Sequence, residues 1–115
     1  MNKNMGNGNR VVLCTCPDLD SAGRMAETLV AERLAACVNI LPGLTSVYRW
    51  QGAIQRDVEV LLLIKTRTDA FTALERRVRE LHPYEVPELI ALPILEGSTP
   101  YLDWLAASVE AGDAA

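Results

Sequence analysis

The chain has 115 residues, the size of one domain, and half of them are hydrophobic, enough for a core at that length. Its net charge of −4 argues against nucleic acid as a partner, because phosphate binding needs a concentrated basic surface. No apolar run is long enough to cross a bilayer, so no membrane association is expected.

Met1 to Asn9 is rich in Asn and Gly and lacks the apolar centre of a secretory signal. It reads as a disordered tail before a single domain over 10–110, and a cytoplasmic location follows. Arg10 to Cys16 is β-branched and apolar and reads as the first strand, with Val12, Cys14 and Cys16 on one face. Pro17 ends it, and Asp18 or Asp20 can cap the next helix. Ala22, Met25, Ala26, Leu29, Val30 and Arg33/Leu34 recur as that helix's apolar stripe, which runs to about Ala35.

Cys37 to Ile40 begins the second strand. Pro42-Gly43 bends it without ending it, and pairing resumes over Leu44 to Trp50. Gln51-Gly52 is a turn signal, and Ile54 starts the return strand. From Val58 to Ile64 only Glu59 is not apolar, as expected of a strand buried on both faces. Thr68-Asp69 is the expected cap of a second helix, whose stripe is Phe71, Leu74, Val78 and Leu81. The stretch His82-Pro83-Tyr84-Glu85-Val86-Pro87-Glu88 ends that helix, because the residue before a proline is pushed out of the α region. It carries the single histidine and opens a fourth strand, Leu89 to Leu95. Glu96-Gly97-Ser98 is a turn. Thr99 caps a last helix with Pro100 at its first position, and Tyr101, Leu102, Leu105 and Val109 face inward.

The order is β-α-β, β-α-β and a terminal helix, an α+β ferredoxin-like sandwich. Right-handed crossovers put both main helices on one face of an antiparallel sheet. The other face would then expose the apolar third strand and forgo roughly 25 cal/mol for each Å² left unburied. A closed, cyclic self-assembly resolves this.

Three cysteines, an odd number, do not suggest a disulfide framework. Cys14, Cys37 and His82 are the soft-ligand set. Thiolate and imidazole suit copper or zinc better than magnesium or calcium, and a site can combine subunits. The plainer alternative is that all three cysteines are small core residues. Tyr48, Trp50, Tyr84, Tyr101 and Trp104 either wall a pocket between subunits or pack an interface, and packing is the simpler account. Glu59, Glu85 and Glu88 could pair for acid–base work, although glutamates on strands are usually solvated or ion-paired. Arg76, Arg77 and Arg79 alternate with Glu75 and Glu80 as a solvated helix face. No phosphate loop and no G-x-S-x-G motif is present, so no enzymatic activity is expected.

Several blocks together resemble the CutA family of divalent-cation tolerance proteins. They are Leu13-Cys14-Thr15, Leu34-Ala35-Ala36-Cys37-Val38-Asn39, Pro42-Gly43 and Ser46-Val47-Tyr48-Arg49-Trp50-Gln51-Gly52. Glu59 with Lys65-Thr66, the His82 to Glu88 block and Tyr101-Leu102-Asp103-Trp104 complete the set, in the family's order, over residues 10 to 109. The resemblance implies a homotrimer similar in architecture to PII signalling proteins, with copper or a similar divalent ion, zinc included, as the bound metal. It implies copper ligands at Cys14 and at the histidines just before the H-P-Y block. His82 matches the second of these, and Leu81 replaces the first. Cys37 matches a further family cysteine, and Cys16 stands where alanine is the family expectation. The alternative that the resemblance leaves open is a regulatory trimer. It would bind a small molecule or partner protein in clefts between subunits, through Tyr48, Trp50, Lys65, Tyr84, Glu85, Glu88 and Trp104.

Overall fold

The structure, a computed structural model, describes residues 8–111. Of the tail expected over residues 1–9, residues 1–7 lie outside the described residues, while Gly8 accepts a backbone hydrogen bond from Thr68 and Asn9 already belongs to the first strand. The elements are β1 (Asn9–Cys16), α1 (Leu19–Ala31), β2 (Cys37–Trp50), β3 (Ala53–Arg67), α2 (Phe71–Leu81), β4 (Ile90–Pro93) and α3 (Thr99–Ser108). The sheet order is β2-β3-β1-β4, and every neighbouring pair is antiparallel. This is the α+β ferredoxin-like arrangement that the element order predicts.

Alternation along β1 and β3 decides where the core lies. Cys14 sits opposite Leu62 and Cys16 opposite Val60. Val60, Leu62, Ile64 and Thr66 are buried, while Leu61, Leu63 and Lys65 between them are half-buried. The buried set packs with Met25 and Leu29 of α1 and with Leu74 and Val78 of α2. By register the opposite face carries Val11, Leu13, Leu41, Leu61, Leu63, Ile90 and Leu92. Burial on both faces of β3 is thus fully met on one face only: on the other, Thr15 and Glu59 are buried, but among the described residues Leu61 and Leu63 are only half-buried and Leu41, Ile90 and Leu92 are exposed. Val58 is 70% exposed, because the long hairpin of β2 and β3 runs on beyond the helices.

Local chemistry explains most of the boundaries. Asp18 caps α1 by accepting from the Ser21 backbone N–H at 2.8 Å. The helix ends at Ala31, short of the Ala35 expected, in a Schellman motif. The Leu34 N–H bonds to the Leu29 carbonyl, the Arg33 N–H to that of Val30, and Arg33 takes φ of 62°. The bend at Pro42-Gly43 is a register shift between Leu41 and Leu44, with Gly43 at φ of 85°.

Thr68 and Asp69 do not cap α2. They lie in a 3₁₀ turn, Thr68–Ala70, and Asp69 pairs with Arg67 instead. Strand β4 covers four residues rather than the seven expected. Ile94 bonds back to the Asn9 carbonyl beyond Pro93, which has no N–H to donate. The N-cap of α3 is Ser98 rather than Thr99. Of its expected inward residues, Leu105 and Val109 are buried and Tyr101 is exposed. Helix α3 seals one end of the sheet with Ala36 and Ala70, where Arg67 Nη1 donates to the carbonyls of Ala106 (3.2 Å) and Val109 (3.1 Å).

Candidate metal centre

Two sulfurs and one imidazole converge under the helices. Cys14 and Cys16 are two residues apart on β1, so both side chains point to the helix-covered face while Thr15 points away. Both are fully buried. His82 reaches them from the end of α2. Its N–H bonds to the Val78 carbonyl at 2.8 Å, and its backbone turns extended, as the following Pro83 demands. The two Sγ atoms and a His82 ring nitrogen lie within 4.8 Å of one another.

Both ring nitrogens of His82 have backbone partners. Nε2 is 2.7 Å from the Thr15 carbonyl, and Nδ1 accepts from the Tyr84 N–H at 3.0 Å. A carbonyl only accepts and an amide N–H only donates, so the ring carries its proton on Nε2. The imidazole thereby pins the His82–Tyr84 turn to the end of β1. Among the sulfurs, hydrogen bonding to Cys16, reinforced by burial, pushes the Cys14 thiol up from its ordinary value.

Chemically, the cluster can hold a soft cation. Thiolate sulfur and imidazole nitrogen are its donors, and it contains no carboxylate. The two sulfurs are close enough to share an ion after a small movement. An ion that takes the imidazole as well displaces one backbone hydrogen bond. If the ion takes Nδ1, the Nε2–H on the Thr15 carbonyl is the kind of second partner that metal-bound histidines use.

Cys37 is not in this cluster. It faces Lys65 on the sheet surface away from α1 and α2, where Lys65 also donates to Asn39 Oδ1. Of the aromatic and charged candidates, Tyr48 and Tyr84 come together beside Asp57 and Glu59, whereas Trp50, Trp104 and Lys65 lie elsewhere. Tyr84 donates to Glu59 Oε2 at 2.9 Å, and Tyr48 donates to Asp57. Burial, then the Glu59 carboxylate, pushes the Tyr84 phenol up to about 12. Trp50 is exposed at the hairpin tip, and Trp104 is exposed on α3 beside Tyr101, with ring centroids 5.5 Å apart. Glu85 lines an open groove of about 640 Å³ with Arg76, Arg79 and His82, while Glu88 is solvent-exposed.

Two features escape a reading by residue type. Cys16 belongs to the cluster, and the signal was its C-x-C spacing on a strand. Glu59 is 8% exposed and bonded to Tyr84, rather than solvated or ion-paired as strand glutamates usually are.

Comparison with known proteins bears on what such a site is for. The family model for the CutA1 divalent ion tolerance protein matches residues 10–108. A divalent-cation tolerance protein CutA from Thermus thermophilus is 62% identical over 95 residues, 83% of this chain and 92% of the relative. The solved structure of CutA1 from Oryza sativa is 46% identical with a TM-score of 0.88, covering 92% of this chain and 97% of its own. That of a protein from Archaeoglobus fulgidus, described as a periplasmic divalent cation tolerance protein, is 36% identical with a TM-score of 0.86, covering 89% and 99%.

Proposed function

The chain belongs to the CutA1 divalent ion tolerance family, and we propose from that premise that it is a cytoplasmic homotrimer, built on a single domain over 10–110, that binds copper or a similar metal ion. Cys14 and His82 are the ligands of this reading, and it assigns the protein no catalytic reaction. Cys37, on the other sheet face, joins only if a neighbouring subunit brings it to an ion. The observation that carries the reading is the buried cluster of two thiols and one imidazole. Two thiols and an imidazole at ligand spacing in a water-excluded place offer a soft cation donors that aliphatic side chains filling the same volume would not.

Trimer formation is supported by the uncovered sheet face, where Leu41, Ile90 and Leu92 are 42%, 50% and 46% exposed. The cytoplasmic location is supported by three cysteines held as thiols. Among the described residues no helix is long and apolar enough to cross a membrane.

Copper titration tests the metal reading. Cys14→Ala and His82→Ala are expected to weaken binding by more than about tenfold. Affinity equal to wild type in both variants would remove the site. A second reading is favoured by the backbone hydrogen bonds on both His82 nitrogens, which leave no ring nitrogen free. It is the PII-like regulatory trimer, whose cleft ligand would contact Tyr48, Trp50, Lys65, Tyr84, Glu85, Glu88 and Trp104. A metal-free small molecule that raises the melting temperature of wild type but not of Trp50→Ala would support it.

A further inference from the structure

We propose that Cys16 is a third ligand, and that it makes the site one for a soft d10 cation of low coordination number, of the copper(I) or silver(I) type. The proposal rests on the metal-binding reading above and extends it to the class of ion bound.

Position comes first. Strand alternation sends Cys14 and Cys16 to the same face, and both are wholly buried beside His82, itself only 7% exposed. The distances follow. A three-coordinate ion with metal–sulfur bonds of about 2.3 Å and a metal–nitrogen bond of about 2.0 Å needs its ligand atoms about 4 Å apart. The three atoms already lie within 4.8 Å of one another, so closing on an ion takes about 1 Å of movement at most. An ion on the imidazole displaces one of two backbone hydrogen bonds. At Nδ1 the bond given up is the one from the Tyr84 N–H, in a turn whose side chains are exposed and where water can replace it; at Nε2 it is the one to the Thr15 carbonyl.

Coordination number then selects the ion. The cluster holds two sulfurs and one nitrogen, with no carboxylate, and the sulfurs have no access to water as a fourth ligand. Zinc in proteins is almost always four-coordinate, and harder divalent ions want oxygen donors. Copper(I) and silver(I) accept two or three soft donors in a dry site. Cys16 therefore does more than fill space beside Val60. It turns a weak sulfur–nitrogen pair into a thiophilic, three-donor site.

The test uses the full chain, reduced and free of oxygen. Copper(I) is competed against a chromophoric copper(I) chelator, and zinc against a zinc chelator. X-ray absorption then counts sulfur neighbours on the copper. Wild type is expected to bind one copper(I) per chain with two sulfurs, and zinc at least about 100-fold more weakly. Cys16→Ser and Cys16→Ala are expected to lose about 100-fold in copper(I) affinity and to show one sulfur. Near-UV circular dichroism checks their packing, and the wild-type sulfur count stands if either variant fails to fold. One sulfur in wild type, or undiminished affinity in both variants, overturns the role of Cys16 while leaving the metal reading intact. Zinc binding as tight as copper(I) overturns the soft-ion selectivity. Binding of neither ion by wild type removes the metal reading as well.

Discussion

Tyr84 shows how much one side chain can join. Its N–H holds Nδ1 of His82, its ring lies 4.9 Å from that imidazole, and its hydroxyl donates to the buried Glu59. Tyr84→Phe leaves the Glu59 carboxylate without that donor and is expected to cost about 1–2 kcal/mol near neutral pH, read from denaturant midpoints. The phenol's upward shift has a second consequence. The unfolded chain releases this proton near pH 10 and the folded chain near 12, so the folded state holds the extra proton between them. That share of stability is fully present below pH 10 and is lost as pH rises towards about 12. Stability of wild type should fall over that window, and Tyr84→Phe should fall less. An equal fall in both would detach the shift from this residue. The pairing of the two thiols was legible from alternation along a strand. The Glu59–Tyr84 bond was not, because it joins residues 25 positions apart and nothing in either local stretch announces it.

At the level of elements, prolines and glycines made much of the chain readable. Pro83 stops α2 at Leu81 with His82 extended, and Pro42-Gly43 shifts the register of β2 as its composition requires. The end of α1 was not readable. The position at φ of 62° that closes it is Arg33 rather than the glycine such a turn favours. Arg33 is held there by tertiary bonds, donating to the Ala107 carbonyl at 3.1 Å and accepting from the Glu110 N–H at 2.9 Å. The β2–β3 turn makes a sharper prediction. Gln51 and Gly52 both have positive φ, 50° and 81°, the pattern of a type I′ hairpin. Nothing lies within 4 Å of a Cβ added at Gly52, so Gly52→Ala is expected to lose about 1 kcal/mol through backbone conformation alone. Gln51→Asn places the residue that such turns prefer and is expected to gain about 0.5 kcal/mol. Denaturant midpoints moving in the reverse directions would refute the turn assignment.

For the molecule as a whole, the sheet is the feature to explain. Its helix-covered face holds the Cys14 and Cys16 thiols beside the His82 imidazole, and its other face leaves aliphatic side chains half-open to water. The surplus of apolar residues in β3 was legible in the sequence, and it implied a partner surface. The number of copies was not, because three subunits and two bury such a face equally well on paper. Trimer and metal centre stand together, and native mass spectrometry of the protein given one equivalent of copper(I) per chain reads both at once. The expected species has three times the 12.6 kDa chain mass and carries three copper ions. A lone chain at micromolar concentration, or a trimer that takes up no copper, would contradict that expectation.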